Sequence, residues 1–191
     1  MSIFYSFFDR AELYSCEGKS DEYIVTTRRG KTESATVMNS IKQALLQDDT
    51  TYVNGDLITN KTTDIKYFLV GLQESTDAIQ GQIHKINALV DIVSLKETFD
   101  SAKKSLGYAE TSLYSETPVV VSVVAAGMHL YDPGLLPTTT IKFITRDITV
   151  QTKNRIKFND VNYQIDAINN IKYESMLEIQ CTADTRKTAI C

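Results

Sequence analysis

Short alternating segments joined by tight turns fill the last third of this sequence, and they constrain the fold more than any other feature. Residues 155–158 alternate apolar and polar side chains, Asn159-Asp160 forms a two-residue turn, and residues 161–167 alternate back. Residues 176–181 alternate in the same way. Short strands at roughly ten-residue spacing, without helices between them, indicate an antiparallel barrel or sandwich.

The same kind of pattern extends through the middle of the chain. Further strands are predicted at residues 22–27, 64–73, 118–126 and 138–145. Residues 82–95 fit a helix by their length and a strand by their β-branched content, and we predict a strand. The Asn54-Gly55 pair predicts a tight hairpin, and the polar stretch from Phe99 to Tyr108 predicts a hairpin tip.

One segment near the N-terminus has helical spacing instead. Val37, Ile41, Ala44 and Leu45 would share one helix face within residues 34–47. The predicted fold is therefore mainly β, an antiparallel barrel or sandwich with one short N-terminal helix and long hairpin extensions. Residues 1–50 would form an N-terminal arm and the helix. Residues 51–191 would form the barrel domain, with a hairpin insertion around 97–108. No internal repeat occurs at a solenoid period.

Alternation in the last third also predicts which side chains are buried together. Inward positions of neighbouring strands should face one another across the barrel. The predicted core comprises Ile141, Phe143, Ile156, Phe158, Tyr163, Ile165, Leu177 and Ile179. Lys142 alternates with two of these residues and is predicted to point outward.

Composition narrows the classes of function. The 191 residues carry 20 Lys and Arg against 24 Asp and Glu, a formal net charge of -4. This is the wrong sign for a protein that binds nucleic acid through many phosphate contacts. Hydrophobic residues make up 42% of the chain and charged residues 23%, which argues against a disordered chain and a membrane protein. The apolar run from Met1 to Phe8 is cut short by Asp9, so we expect no export signal or anchor.

Residues capable of chemistry are few and scattered. The chain has two histidines and three cysteines, none in a metal-ligand or C-x-x-C spacing. His84 and His129 are interpreted as ordinary histidines, Cys181 as a small core residue and Cys191 as a tail thiol. No phosphate-binding or nucleophile-elbow motif occurs. We therefore predict no enzyme activity, no catalytic residues, no cofactor and no metal. The odd cysteine count favours a reducing interior over a disulfide framework.

Three segments in the C-terminal part carry a resemblance. They are residues 132–144, residues 154–166 and residues 177–181. In their order and residue types they resemble the head closure, or head-to-tail joining, proteins of tailed bacteriophages. The matching positions of the central hairpin are Arg155, Ile156, Phe158, Asn159, Asp160, Tyr163 and Ile165. The likeness covers about the last 60 to 75 residues, and it departs from the small members of the family in an extra N-terminal portion and in Asp160, where glycine is commoner.

The resemblance implies a structural virion protein made in the bacterial host cytoplasm. Such a protein would form a ring of its own copies, sixfold or twelvefold, at the neck between head and tail. Its neighbours would be the portal or adaptor protein and a tail terminator or tail tube protein, and it would not contact a membrane. DNA would pass through the lumen without specific binding, which an acidic lumen suits.

Two exposed segments are the predicted contact sites in such a ring. The hairpin tip would contribute Asp100, Lys103, Lys104 and Leu106, and the loop at residues 132–137 would contribute Asp132, Leu135 and Leu136. Both are expected to be mobile in the isolated chain and ordered on assembly. Two alternatives stay open: a tail terminator or tail-completion ring protein, and a small ligand-binding barrel or hydrolase.

Overall fold

A computed structural model of the protein describes residues 5–28, 40–75, 78–125, 132, 134–170 and 174–189. Within these residues a 3-10 helix at Tyr5–Arg10 precedes twelve β-strands. The first six are β1 Ala11–Cys16, β2 Glu22–Arg28, β3 Ile41–Leu46, β4 Leu57–Asn60, β5 Lys66–Ser75 and β6 Ala78–Lys85. The second six are β7 Ala88–Phe99, β8 Ser105–Val123, β9 Ile141–Arg146, β10 Arg155–Phe158, β11 Val161–Asn169 and β12 Met176–Ala183. The predicted mainly β, antiparallel barrel fold is confirmed.

The strands form two closed six-stranded barrels. Barrel 1 contains β1 to β6 and barrel 2 contains β7 to β12. The chain divides into two compact units accordingly, Met1–Ile86 with Asn170–Met176 and Asn87–Asn169 with Leu177–Cys191. This division differs from the predicted one, in which a single barrel ran from residue 51 to 191.

The boundary lies inside the segment 82–95 that was predicted as one strand. Ile86 N–H donates to Lys66 O in barrel 1, at 3.0 Å, whereas Asn87 N–H donates to Val119 O in barrel 2, at 3.3 Å. The Asn87 side chain also bonds both backbone groups of Val121. Adjacent residues thus pair with different sheets, and the change falls at Ile86–Asn87 inside the predicted strand.

Strand order is the same in the two barrels. In barrel 1 the order is β1-β2-β3-β6-β5-β4, and β4 pairs back with β1. In barrel 2 it is β7-β8-β9-β12-β11-β10, and β10 pairs with β7. Adding six to each strand number of barrel 1 gives barrel 2, so the chain repeats one topology. Closure leaves no free edge within either ring of strands.

Each barrel has its own core. The core of barrel 2 includes all eight residues predicted to be buried together, with Phe158 and Tyr163 at its margin. Both rings stand edge-on to Phe143, at centroid distances of 5.9 and 5.7 Å. Barrel 1 has a core of aliphatic residues and three tyrosines: Tyr14, Ile24, Ala44, Leu46, Tyr52, Ile58, Tyr67, Leu69 and Ile83.

The predicted helix at residues 34–47 is wrong where the structure describes it. Residues 41–46 form strand β3, and residues 34–39 lie outside the described residues. Ala44 and Leu46 point into the core of barrel 1, while Leu45 packs outside it against Val25 and Ala78. A strand that is apolar on both faces gives the same local pattern as a helix, because periodicity cannot separate the two in a short segment.

Asn54-Gly55 forms a turn, with Gly55 at φ 88°, but the predicted hairpin around it does not form. The turn follows an irregular stretch after β3 and leads into β4. Asn159 and Asp160, by contrast, join β10 to β11 directly at φ 49° and 60°, as predicted.

Candidate functional site

The longest strands of the protein, β7 and β8, extend past their barrel. They pair with each other from Ala88↔Val119 to Phe99↔Ser105. However, β10 pairs with β7 only at Asp91–Val93, and β9 pairs with β8 only at Val120–Val123. Residues 94–111 therefore form a two-stranded ribbon beyond the ring of strands. We call this ribbon the arm.

Asp100 shapes the turn at the end of the arm. Its Oδ1 accepts the backbone N–H groups of Ala102 and Lys104, both at 2.8 Å. Asp100 N–H in turn donates to Lys104 O at 2.9 Å, and Lys103 has φ 62°. A short carboxylate side chain that binds backbone amides is typical of such turns. The predicted contact residue Asp100 therefore has a structural role within the arm.

The tip of the arm exposes apolar and cationic side chains. Phe99 is 57% exposed and Leu106 is 53% exposed, and Lys103 and Lys104 are also exposed. Exposure of two large apolar side chains on one extension is typical of a contact surface. Of the predicted contact residues of the hairpin, Lys103, Lys104 and Leu106 are thus accessible together.

The second predicted contact segment, at residues 132–137, is packed on barrel 2 in its described part. Leu135 is only 7% exposed. Gln180 of β12 accepts Leu136 N–H at 2.9 Å and donates its own side-chain N–H to Gly134 O at 2.7 Å. Leu136 is 38% exposed and is the most accessible of the three predicted residues.

Lys142 is buried, which corrects the prediction that it points outward. Its Nζ lies 3.4 Å from Glu178 Oε2 and 3.6 Å from Asp132 Oδ2. The residue does alternate with core positions, but Asp132 and Glu178 lie against it on the outer face of β9. Asp132 therefore forms an ion pair within its own chain, with Lys142 of β9.

A buried polar network stands at the base of the arm. Arg155 of β10 is fully buried, with Nη1 2.6 Å from Glu110 Oε1 and Nε 2.8 Å from Asp184 Oδ2. Lys157 donates to the other oxygen of Glu110. Burying ions is costly unless each has its partners, and here Arg155 joins carboxylates from two distant segments. Sequence reasoning missed this network because no local spacing relates residues 110, 155 and 184.

The ionisation of this network follows from its contacts. Burial alone would raise the pKa of Asp184, but hydrogen bonds from Arg186 and Arg155 outweigh it and lower this pKa to about 2. Partial burial is likewise outweighed at Glu110, whose pKa is lowered by hydrogen bonds from Lys157 and Arg155. Both carboxylates are therefore charged at neutral pH.

Two of the surface depressions among the described residues offer room for a ligand. One in barrel 2, of about 530 Å³, is polar and lies beside the β10–β11 turn. Asp91, Glu116 and Asp160 line it, and Asp91 Oδ1 accepts Glu116 N–H at 2.9 Å. The other, in barrel 1, has about 380 Å³ and a mostly apolar lining that includes Phe7 and Leu45. Within the described residues no three His, Cys, Asp or Glu side chains are placed so that they could together hold a metal ion.

Neither of the candidate reactive residues that the structure describes, His84 and Cys181, belongs to the arm. His84 is buried in barrel 1, with Nε2 3.2 Å from Gln82 Oε1. Cys181 belongs to the core of barrel 2, as predicted, and burial raises its pKa. A buried thiol with a raised pKa is a poor nucleophile. His129 and Cys191 lie outside the described residues.

Among the described residues, no helix has both the length and the apolar character needed to cross a bilayer. A scan against protein-family models and a search of the curated proteins gave no match for this chain. The arm of barrel 2, with its exposed tip and its buried polar base, is the candidate functional site.

Proposed function

We propose that this protein is a structural component of a tailed-phage neck. In this role it forms a ring that joins the portal or adaptor to the tail and closes the DNA-filled head. The role is that of a head closure protein, the family that residues 132–181 resemble in their order of features. It requires no catalytic group, cofactor or metal.

The observation that carries the proposal is the arm. A closed barrel needs only strands long enough to complete its ring, and β7 and β8 continue well beyond theirs. The extra length ends in Phe99 and Leu106, whose exposed apolar surface is costly for an isolated chain. Rings are built from head-to-tail contacts between two different patches, and a projecting apolar tip suits one of them.

An arm-shortened variant tests this role. Residues 101–106 are replaced by a short glycine-containing turn, which removes Leu106 and both lysines of the tip and leaves the barrel pairing intact. We expect normal folding, loss of ring species in native mass spectrometry, and failure to attach tails to DNA-filled heads. Asp160→Gly is the matched control, because it alters an exposed turn of the same barrel that tolerates glycine.

The possible outcomes separate the candidate functions. Normal tail attachment by the folded arm-shortened variant would reject the role of the arm. A folded wild-type chain that never enters virions would reject the neck assignment. If the protein is recovered bound to isolated tails and not to filled heads, the head closure role is wrong and the tail terminator role, which has the same size and forms a ring, is the correct one.

A further inference from the structure

The chain after β12 lies along the arm. Tyr108 N–H donates to Lys187 O, and Ala189 N–H donates to Tyr108 O, both at 2.9 Å. These two bonds form a parallel bridge between Tyr108 and Thr188. Residues 185–189, which we call the strap, thus lie against the β8 edge of the arm through this isolated bridge.

Gly107 makes room for the strap. A Cβ atom at this position would lie 2.8 Å from Lys187 O and 3.1 Å from Ala189 N. Both neighbours are backbone atoms, so they could move only by shifting the strap. The backbone of Gly107, at φ 106°, is also one that other residues rarely adopt.

Arg155 fastens the strap to the barrel. Besides its two carboxylate partners, it donates to Arg186 O at 2.6 Å and to Thr188 Oγ1 at 3.0 Å. The side chain of Arg186, in the strap, donates hydrogen bonds to Asp184 and to the backbone oxygens of Lys153 and Asn154 in the barrel. One buried guanidinium therefore connects the barrel wall, the arm at Glu110 and the strap.

We propose that the strap is a positioning device that fixes the arm at one angle on barrel 2. A two-stranded ribbon is marginally stable and bends easily by itself. The strap, bonded to Tyr108 and anchored on Arg155, stiffens the base of the ribbon and leaves its tip free to adapt.

A fixed arm matters for assembly, and this part of the inference rests on the proposed function. Closure of a ring depends on the angle between its two contact patches. An arm that is already ordered does not lose conformational entropy when it meets a neighbouring copy. The strap would therefore favour closed rings over open or irregular chains of subunits.

Hydrogen exchange on a truncated chain tests the strap. A chain ending at Asp184 loses the strap but keeps the pairing of Arg155 with Asp184 and Glu110. We expect the amide of Tyr108 to exchange at least about fivefold faster, because its acceptor is removed, and the other arm amides to follow. A chain ending at Ala189 is the control and should keep wild-type exchange.

A second variant avoids any loss of chain. Gly107→Ala should displace the strap and accelerate the same amides. Gly18→Ala is its control, because Gly18 also has a positive φ, of 77°, with no atom within 4 Å of the added Cβ. Unchanged exchange at Tyr108 in both the truncated chain and Gly107→Ala would overturn the strap proposal.

Assembly is measured separately on the same variants. Faster exchange together with fewer closed rings is the expected result. Faster exchange with unchanged rings would keep the strap as an anchor of the arm and overturn its part in ring closure. The exchange result does not depend on ring formation, so failure of the neck function would leave it intact.

Discussion

Barrels 1 and 2 share one strand order and differ most in their first hairpin. Strands β1 and β2 have 6 and 7 residues, whereas their counterparts β7 and β8 have 12 and 19. Barrel 1 closes with the short pair, so closure does not require the additional length. The difference separates what the topology needs from what barrel 2 adds, which is the arm.

The two barrels also bury polar groups differently. Barrel 1 places tyrosines in its core and hydrogen-bonds two of their hydroxyls within the barrel, Tyr52 to Tyr14 O at 2.9 Å and Ser20 O at 3.1 Å, and Tyr14 to Glu12 Oε2 at 2.9 Å. Barrel 2 buries the charged network of Arg155 where the arm begins. Asp184 of this network is fully buried and ion-paired, so the stability of barrel 2 should depend on pH through it.

Removal of a core ring should produce the largest effect. Phe143→Ala should cost about 3 to 5 kcal/mol in the stability of barrel 2, because Phe143 is fully buried between Phe158 and Tyr163. Urea titration followed by hydrogen exchange of barrel 2 amides measures this cost. Phe99→Ala at the arm tip is the control and should change stability by less than about 0.5 kcal/mol. Similar costs for the two variants would contradict the division into core and arm.

Acid should weaken barrel 2 through Asp184. Its pKa is lowered to about 2 in the folded protein, compared with about 4 in the unfolded chain. The ionised Asp184 therefore contributes its full stabilisation of the folded state above about pH 4, and this stabilisation is lost as the pH falls towards the folded-state pKa. The contribution is about 2 kcal/mol. Stability measured at pH 5 and pH 2 should show this loss, and Asp184→Asn should reduce the difference.

The control for acid is an exposed ion pair of barrel 1. Asp21 lies 3.3 Å from Lys61, and both side chains are more than two-fifths exposed. Asp21→Asn should leave the pH dependence unchanged, because exposed pairs contribute little. A profile that depends on Asp21 and not on Asp184 would contradict the role of the buried network.

The smallest effect concerns the hydroxyl of Tyr52. Tyr52→Phe should cost barrel 1 about 1 to 2 kcal/mol, because the buried carbonyl oxygen of Tyr14 loses this donor, as does the more exposed carbonyl oxygen of Ser20. Thermal unfolding of the variant measures this cost. Tyr23→Phe, at a residue that is 45% exposed, should be nearly neutral. An equal effect of both variants would indicate that the core tyrosines of barrel 1 act through packing alone.

Local pattern predicted the elements whose side chains alternate cleanly. The hairpin around Asn159-Asp160 and the core of barrel 2 follow from a two-residue period and a turn that tolerates positive φ. Strand β3 could not be predicted in the same way, because its two apolar faces imitate a helix. The tip of the arm was predicted from its polar composition, whereas its base was not.

What the sequence by itself determined is therefore the class of fold, the inward faces of barrel 2 and the position of the long hairpin. These depend on neighbours within a few residues, and such information is local. Only the tertiary structure decided that the chain forms two barrels of one topology, that Lys142 and Leu135 are buried, and that Arg155 joins Glu110 to Asp184. These features depend on strand pairing between distant segments, and burial and ion pairing are set only after that pairing has brought the segments together.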